Sequence, residues 1–431
     1  MRRFREFARL RPAGVPTLLC LMTSLLLPAN LPAQQSTLPI VPPGTVTERL
    51  PACYGWYCGY AVVAMHGSNA IFDGGIGILE VLSRTGPDTW TATQALVNPD
   101  EARPPQPPPR PTVQDFGSPI ALDERVLLIS GSSRLHPAAI YVFTRPRQVW
   151  AHAQTIDLPK PDSYYRVQIV DVVLDENTAI VFVRYHNSVR AFKQVHWYTR
   201  TTGRPFVYQG TIAPAVGNRL ALSRNTMLMV DPRADGDRGA AYVFQRVGAQ
   251  WTQTQKLTGS GTAPGDGFGS AVAFDGNLIA ISAPDQPNPA DPQVPGAVYT
   301  FVRNSGTWVE DSVLAPEPVT DPDDWQSTRF GQHVALSGSR LLVDSGRYAG
   351  RPEVPQPVIL YERHSNRWQP RAQLGCLGIT EVALAGSAAI LTYYDPIRPT
   401  PQVKPYLLPA LGGTPPPADS TCEGIAGRVR E

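Results

Sequence analysis

Three observations predict an all-β fold built of repeated sheets. Proline (45) and glycine (36) make up 19% of the 431 residues, against an average of roughly 12%, and charged residues only 17%, against about 25%. That composition suits neither a helical bundle nor a coiled coil, nor a charge-rich disordered chain. Short runs of β-branched and aromatic residues alternate with turn residues along most of the chain, as in Phe268-Gly-Ser-Ala-Val-Ala-Phe-Asp-Gly-Asn-Leu-Ile-Ala-Ile-Ser-Ala-Pro284. Four such runs recur together with a period of about fifty residues, which is the signature of a β-propeller blade. Seven periods predict a seven-bladed β-propeller of four-stranded blades. A blade cannot cover its own apolar faces, so its neighbours must stack beside it.

The elements follow in chain order. Arg2, Arg3, Arg5, Arg9 and Arg11 precede the largely apolar stretch Val15 to Leu27, and small residues follow at Ala29 and Ala33. This basic, apolar, small order reads as a secretory signal peptide over residues 1–33. The apolar stretch is too short to span about 30 Å of hydrocarbon. Its removal takes away five Arg and one Glu, leaving 33 basic and 35 acidic residues, a net charge of −2. No basic tract remains to bind a nucleic-acid backbone, and no later stretch is apolar enough to form a membrane helix. A leader, 34–43, comes next, then the propeller over 44–411 and a tail over 412–431.

The first strand of each period ends at His66, Asp123, Asp175, Ser223, Asp275, Ser337 and Ala385, spaced 57, 52, 48, 52, 62 and 48 residues apart. The fourth strand carries an independent mark, an aromatic residue followed six places later by Leu or Ile: Trp90/Leu96, Trp150/Ile156, Phe206/Ile212, Trp251/Leu257, Trp308/Leu314 and Trp368/Leu374. Seven first strands against six fourth strands leave one strand missing. Thr45-Val-Thr-Glu-Arg-Leu50 resembles Thr252-Gln-Thr-Gln-Lys-Leu257, so residues 44–50 are expected to supply the outer strand of the last blade and close the ring. The repeated tryptophans read as packing between blades. In an exported chain, the four cysteines beyond the signal segment favour disulfides, with Cys53–Cys58 paired by proximity and Cys376–Cys422 remaining.

The Phe-Gly start, the Asp275-Gly276 turn, Ser282-Ala-Pro284 and the Gly-Ala-x-Tyr-x-Phe run resemble the FG-GAP repeat family, from which integrin α-chain propellers and many exported bacterial proteins are built. Gly239-Ala-Ala-Tyr-Val-Phe244 with Trp251-Thr-Gln-Thr-Gln-Lys-Leu257 is most like the bacterial subgroup. The resemblance spans roughly residues 54–411 and is specific in the fourth to sixth repeats. It implies a propeller with surface or adhesive roles and no shared chemistry. Integrin-type repeats place an Asp-rich calcium loop between the first two strands. Here that turn is only Asp275-Gly276-Asn277, too short for the six to eight oxygens Ca²⁺ takes. No cofactor is expected there.

First-to-second and third-to-fourth turns are short, so the long second-to-third and fourth-to-first connections emerge together on one face. They carry Asp231, Arg233, Asp235 and Asp237; Asp285 and Asp291; Arg347, Tyr348 and Arg351; and Asp321, Asp323, Asp324 and Trp325. Loops on a rigid scaffold commonly carry binding residues, although such residues also serve simply to turn the chain. Asp231, Asp235 and Asp237 offer oxygens for a cation but lack a regular Asp-x-Asp-x-Asp-Gly spacing. Residues 102–111, rich in proline, read as a stiff polyproline II spacer. Metalloprotease, nucleophile-elbow and phosphate-loop motifs are absent. His66 and His333 fall on or beside first strands, near the central axis. The expectation is an exported monomer that binds an extracellular glycan or protein through its long-loop face. The alternatives are a propeller hydrolase or lyase acting on a polysaccharide or ester, marked by a deep channel lined by two or more carboxylates or a His/Tyr pair, and a structural subunit of an envelope complex.

Overall fold

The computed structural model describes residues 45–46, 62–73, 77–87, 89–100, 116–161, 165–289, 295–316, 329–344, 357–374, 379–394 and 401–413. Seven antiparallel meanders follow one another, over 62–97, 120–157, 166–212, 219–257, 272–314, 334–374 and 379–407. Each of the first six contributes four strands to its own blade; the seventh shows three. First strands end at His66, Leu122, Asp175, Ser223, Asp275, Ser337 and Ala385, within one residue of the repeat marks. They lie innermost, each packed against the next, with blade seven against blade one. The chain is a seven-bladed β-propeller. Among the described residues no helix is long and apolar enough to cross a membrane.

The core is distributed between the blades. Seven apolar clusters each join two neighbours, and one of them seals the ring: Val63, Phe72, Leu82 and Trp90 of blade one meet Ala383, Ile390 and Val403 of blade seven. The tryptophans do pack between blades. The indole N–H groups of Trp150, Trp251, Trp308 and Trp368 are buried with no hydrogen-bond partner among the described residues, so these rings contribute area rather than polar contacts.

A bulge explains the six-residue spacing. In blades one to six, the third-to-fourth ladder slips by one residue, for example between Val243 and Phe244. Side chains alternate along a strand, so residues six apart would share a face. The extra residue reverses that parity. Trp251 therefore packs toward blade three and Leu257 toward blade five. One strand serves both interfaces.

Of residues 44–50, expected in the outer strand of the last blade, the structure describes Thr45–Val46. This pair runs parallel with the outer strand of blade one, Thr45 opposite Thr89 and Val46 opposite Trp90, and also contacts the last strand of blade seven, Pro401–Leu407. Residues 44 and 47–50 lie outside the described residues. The segment thus touches both blades at the joint, beside the packed inner strands and their apolar cluster. Cys53, Cys58, Cys376 and Cys422 lie outside the described residues.

Candidate functional site

The long loops are fixed by their own polar groups. Asp231 Oδ1 accepts from the Arg233 N–H at 3.0 Å. Asp235 and Gly236 hold left-handed backbone angles, and Asp235 Oδ1 lies 2.5 Å from Lys256 Nζ. The Asp237 carbonyl accepts from the Gly265 N–H at 2.8 Å, tying this loop to the approach into blade five. Asp285 pairs with Arg329, whose Nε donates at 2.6 Å. No three acidic, His or Cys side chains among the described residues gather as a metal-binding group. Arg347 and Tyr348, like Asp291, Arg351 and the 321–325 cluster, lie outside the described residues. Of the predicted loop residues, the structure brings Asp231 to Asp237 and Asp285 beside one another through the 263–269 segment, mostly as loop-forming groups. Leu135 and Val189 stand exposed in the second-to-third connections of blades two and three.

The inner strands carry a second constellation. Counting back four residues from each first-strand turn gives Val62, Pro119, Asp171, Arg219, Ala271, His333 and Glu381. Equal register places these seven at one level of the ring, at the mouth that opens among the long loops. Blades three to seven thus present an acid, a cation, an alanine, a cation and an acid. Two residues further in, the level is Ala64, Ala121, Val173, Ala221, Ala273, Ala335 and Ala383. Ala121, Ala221 and Ala383 of this level belong to the apolar clusters shared with the next blade.

Each ionisable group at the mouth has a distinct setting. Asp171 is held by two amides: Val172 N–H donates to Oδ1 at 2.9 Å, and Leu220 N–H, from the next blade, donates to Oδ2 at 2.7 Å. Burial nevertheless pushes its carboxyl up to about 6, against the pull of those amides and of Arg219. Arg219 is exposed and makes no hydrogen bond or ion pair with a described residue. Asp344, 3% exposed, ends the second strand of blade six; its Oδ1 accepts from the His333 backbone N–H at 2.9 Å and its Oδ2 lies 2.7 Å from His333 Nδ1. Burial alone would depress His333, but the Asp344 hydrogen bond and charge, with Glu381, outweigh it and raise its pKa. Burial also raises the Glu381 carboxyl, against the opposing charges of His333 and Arg219. Arg219, His333 and Glu381 act on one another across blades four, six and seven, as groups facing one space do.

At the opposite mouth four turn residues tie neighbouring blades together. Asp175, Ser223, Asp275 and Ser337 accept from the backbone N–H of Arg224, Gly276, Gly338 and Gly386 respectively, each on the following blade. This belt joins blades three to seven. His66 lies at that end, in a cleft of about 590 Å³ with Glu124, Arg125, Arg145 and Gln148. Of the two histidines singled out by sequence, only His333 belongs to the charged mouth. Asp171, Arg219 and Glu381 were not singled out, although aligning the strands on their turn residues would have put all three in one column.

Comparison with known proteins agrees with the repeat. The sequence model of the FG-GAP repeat matches residues 251–301, from the outer strand of blade four through the third strand of blade five. The fold is similar to the β-propeller domain of Cps50 (Swd1) from Myceliophteria thermophila, at 10% identity over 81% of this chain and 97% of that one, with a TM-score of 0.48. It is also similar to Hsv2 from Kluyveromyces lactis, at 11% identity over 80% and 98%, with a TM-score of 0.43. No curated protein matches the chain.

Proposed function

We propose that the protein is an exported binding module whose ligand docks on the long-loop face, over the mouth of the central channel. One observation carries the reading: Arg219, His333 and Glu381, with Asp171, share one level of the inner strands at that mouth and act on one another, and the Arg219 side chain there is exposed with no partner among the described residues. The basic, apolar, small order of residues 1–33 supports export, and the four cysteines beyond it support an oxidising destination. The resemblance to surface-exposed FG-GAP proteins supports an adhesive role. Screening the purified full chain on glycan and matrix-protein arrays, with and without chelator, tests the reading. Binding that survives chelation and is lost on Arg219→Ala is the expected result. A folded protein that binds nothing on either array contradicts it.

A second reading, a hydrolase or lyase, is favoured by the His333–Asp344 pair. A buried carboxylate on Nδ1 fixes the imidazole and leaves Nε2 to move a proton, and the two raised carboxyls nearby are suited to acid–base work. Turnover of a polysaccharide or ester by the wild type, abolished in His333→Asn, would establish it.

A further inference from the structure

We propose that the long-loop mouth of the channel takes the carboxylate of an acidic sugar, a uronate unit of an oligosaccharide, held between Arg219 and His333 across Ala271. The inference rests on the reading of this face as the binding surface and names what it binds.

Arg219 and His333 sit on blades four and six at one register level, and the residue between them at that level, on blade five, is Ala271. The side chain between the two cationic positions is thus only a methyl group, and Arg219 acts on His333 across it. Arg219 is exposed and unpaired among the described residues, so its guanidinium is available for the bidentate contact that suits a carboxylate. Asp344 occupies His333 Nδ1 and thereby presents Nε2 as the remaining nitrogen. Asp171 and Glu381 flank the cations on blades three and seven. Carboxyl groups at the edge of an anion site would repel a bare acid but accept from hydroxyl groups. A carboxylate ringed by hydroxyls is what a uronate offers, whereas an acidic peptide brings no such donors.

The groups facing His333 are Asp344 on its own blade, Glu381 on blade seven, Arg219 on blade four and, beyond it, Asp171 on blade three. Lower pH adds a proton to His333, whose pKa is raised, and to Asp171, pushed up to about 6. Each change favours an incoming carboxylate, so affinity should rise as pH falls from about 8 toward about 6.

The test is calorimetric titration of the full chain with trigalacturonate, its methyl ester and a hexaglutamate peptide, from pH 5.5 to 8.5, for the wild type, Arg219→Ala, Arg219→Lys and His333→Gln. Circular dichroism confirms that each variant folds. Trigalacturonate is expected to bind about tenfold or more tightly than its ester or the peptide. Arg219→Ala should lose that margin, Arg219→Lys should retain part of it, and His333→Gln should flatten the pH dependence. Equal binding of acid and ester, unchanged affinity in Arg219→Ala, or tighter binding of the peptide overturns the inference. Failure of trigalacturonate to bind, while another array ligand binds the same face, also overturns it and leaves the binding-module reading standing. Failure of every array ligand removes both.

Discussion

Asp171 shows how one side chain registers its place in the ring. Burial raises its folded pKa to about 6, above the ordinary carboxylate value of about 3.9, so the folded state holds the proton more tightly than the unfolded chain. Stability should therefore fall as pH rises from about 4 to about 6 and stay lower above it. Asp171→Asn keeps an oxygen for the Leu220 N–H without the charge. It gives up the acceptor of the Val172 N–H and should remove the slope; urea melts across pH read it, and a slope that persists in the variant contradicts the account. A second residue works between blades. Gln255 donates to the Trp308 carbonyl at 2.7 Å and accepts from the Trp308 N–H at 2.9 Å, and Gln94 and Gln154 do the same to Trp150 and Phe206. Gln255→Ala should cost about 1–3 kcal/mol in a denaturant melt by leaving that backbone unpaired. The recurrence of Gln four places after Trp is plain in the sequence. Its purpose is not, because the partner sits more than fifty residues away on another sheet.

At the level of elements, the two halves of the repeat motif prove to be one contact. A Cβ on Gly296, at φ +123°, would lie 2.5 Å from the Phe330 carbonyl oxygen, and one on Gly239 would lie 1.9 Å from that of Phe268. The glycine that opens a third strand is thus required by the Phe-Gly step of the following blade. A Cβ on Gly276, in an open turn at φ +62°, would meet nothing within 4 Å. Gly276→Ala should cost about 1 kcal/mol for its backbone angle alone, and Gly296→Ala about 1–3 kcal/mol more, since backbone must move; parallel thermal melts compare them. The segment after blade seven is anchored differently. Glu362, 1% exposed, accepts from Arg340 Nε at 3.1 Å and Nη2 at 3.0 Å and from the Gly412 N–H at 3.2 Å, while Arg340 also donates to the Pro409 carbonyl. Glu362→Ala strands a buried guanidinium, so it should cost about 3–5 kcal/mol and expose residues 408–413 to limited proteolysis. Strand order and phase were legible here because turn residues and tryptophans repeat visibly. The bulge was not, because a ladder slip is a property of two strands and leaves no mark in either alone.

For the whole molecule, the charged mouth exists only if the ring is shut. Asp171, Arg219, His333 and Glu381 span 210 positions of sequence and meet because blade seven returns to blade one. The sequence showed seven units and a short N-proximal segment to finish them. It did not show that Thr45–Val46 pairs with the outer strand of blade one, nor that Phe72, Trp90, Ala383 and Ile390 pack across the joint. Such a joint should be as firm as the other six, each of which also rests on an apolar cluster between neighbouring blades. Amide hydrogen exchange of the full chain, resolved to peptides, reads this directly. The account predicts that the inner strands Val62–His66 and Ile379–Ala385 exchange as slowly as Arg219–Ser223 in blade four. Rapid exchange confined to blades one and seven, with the rest protected, would mean an open ring and would contradict it.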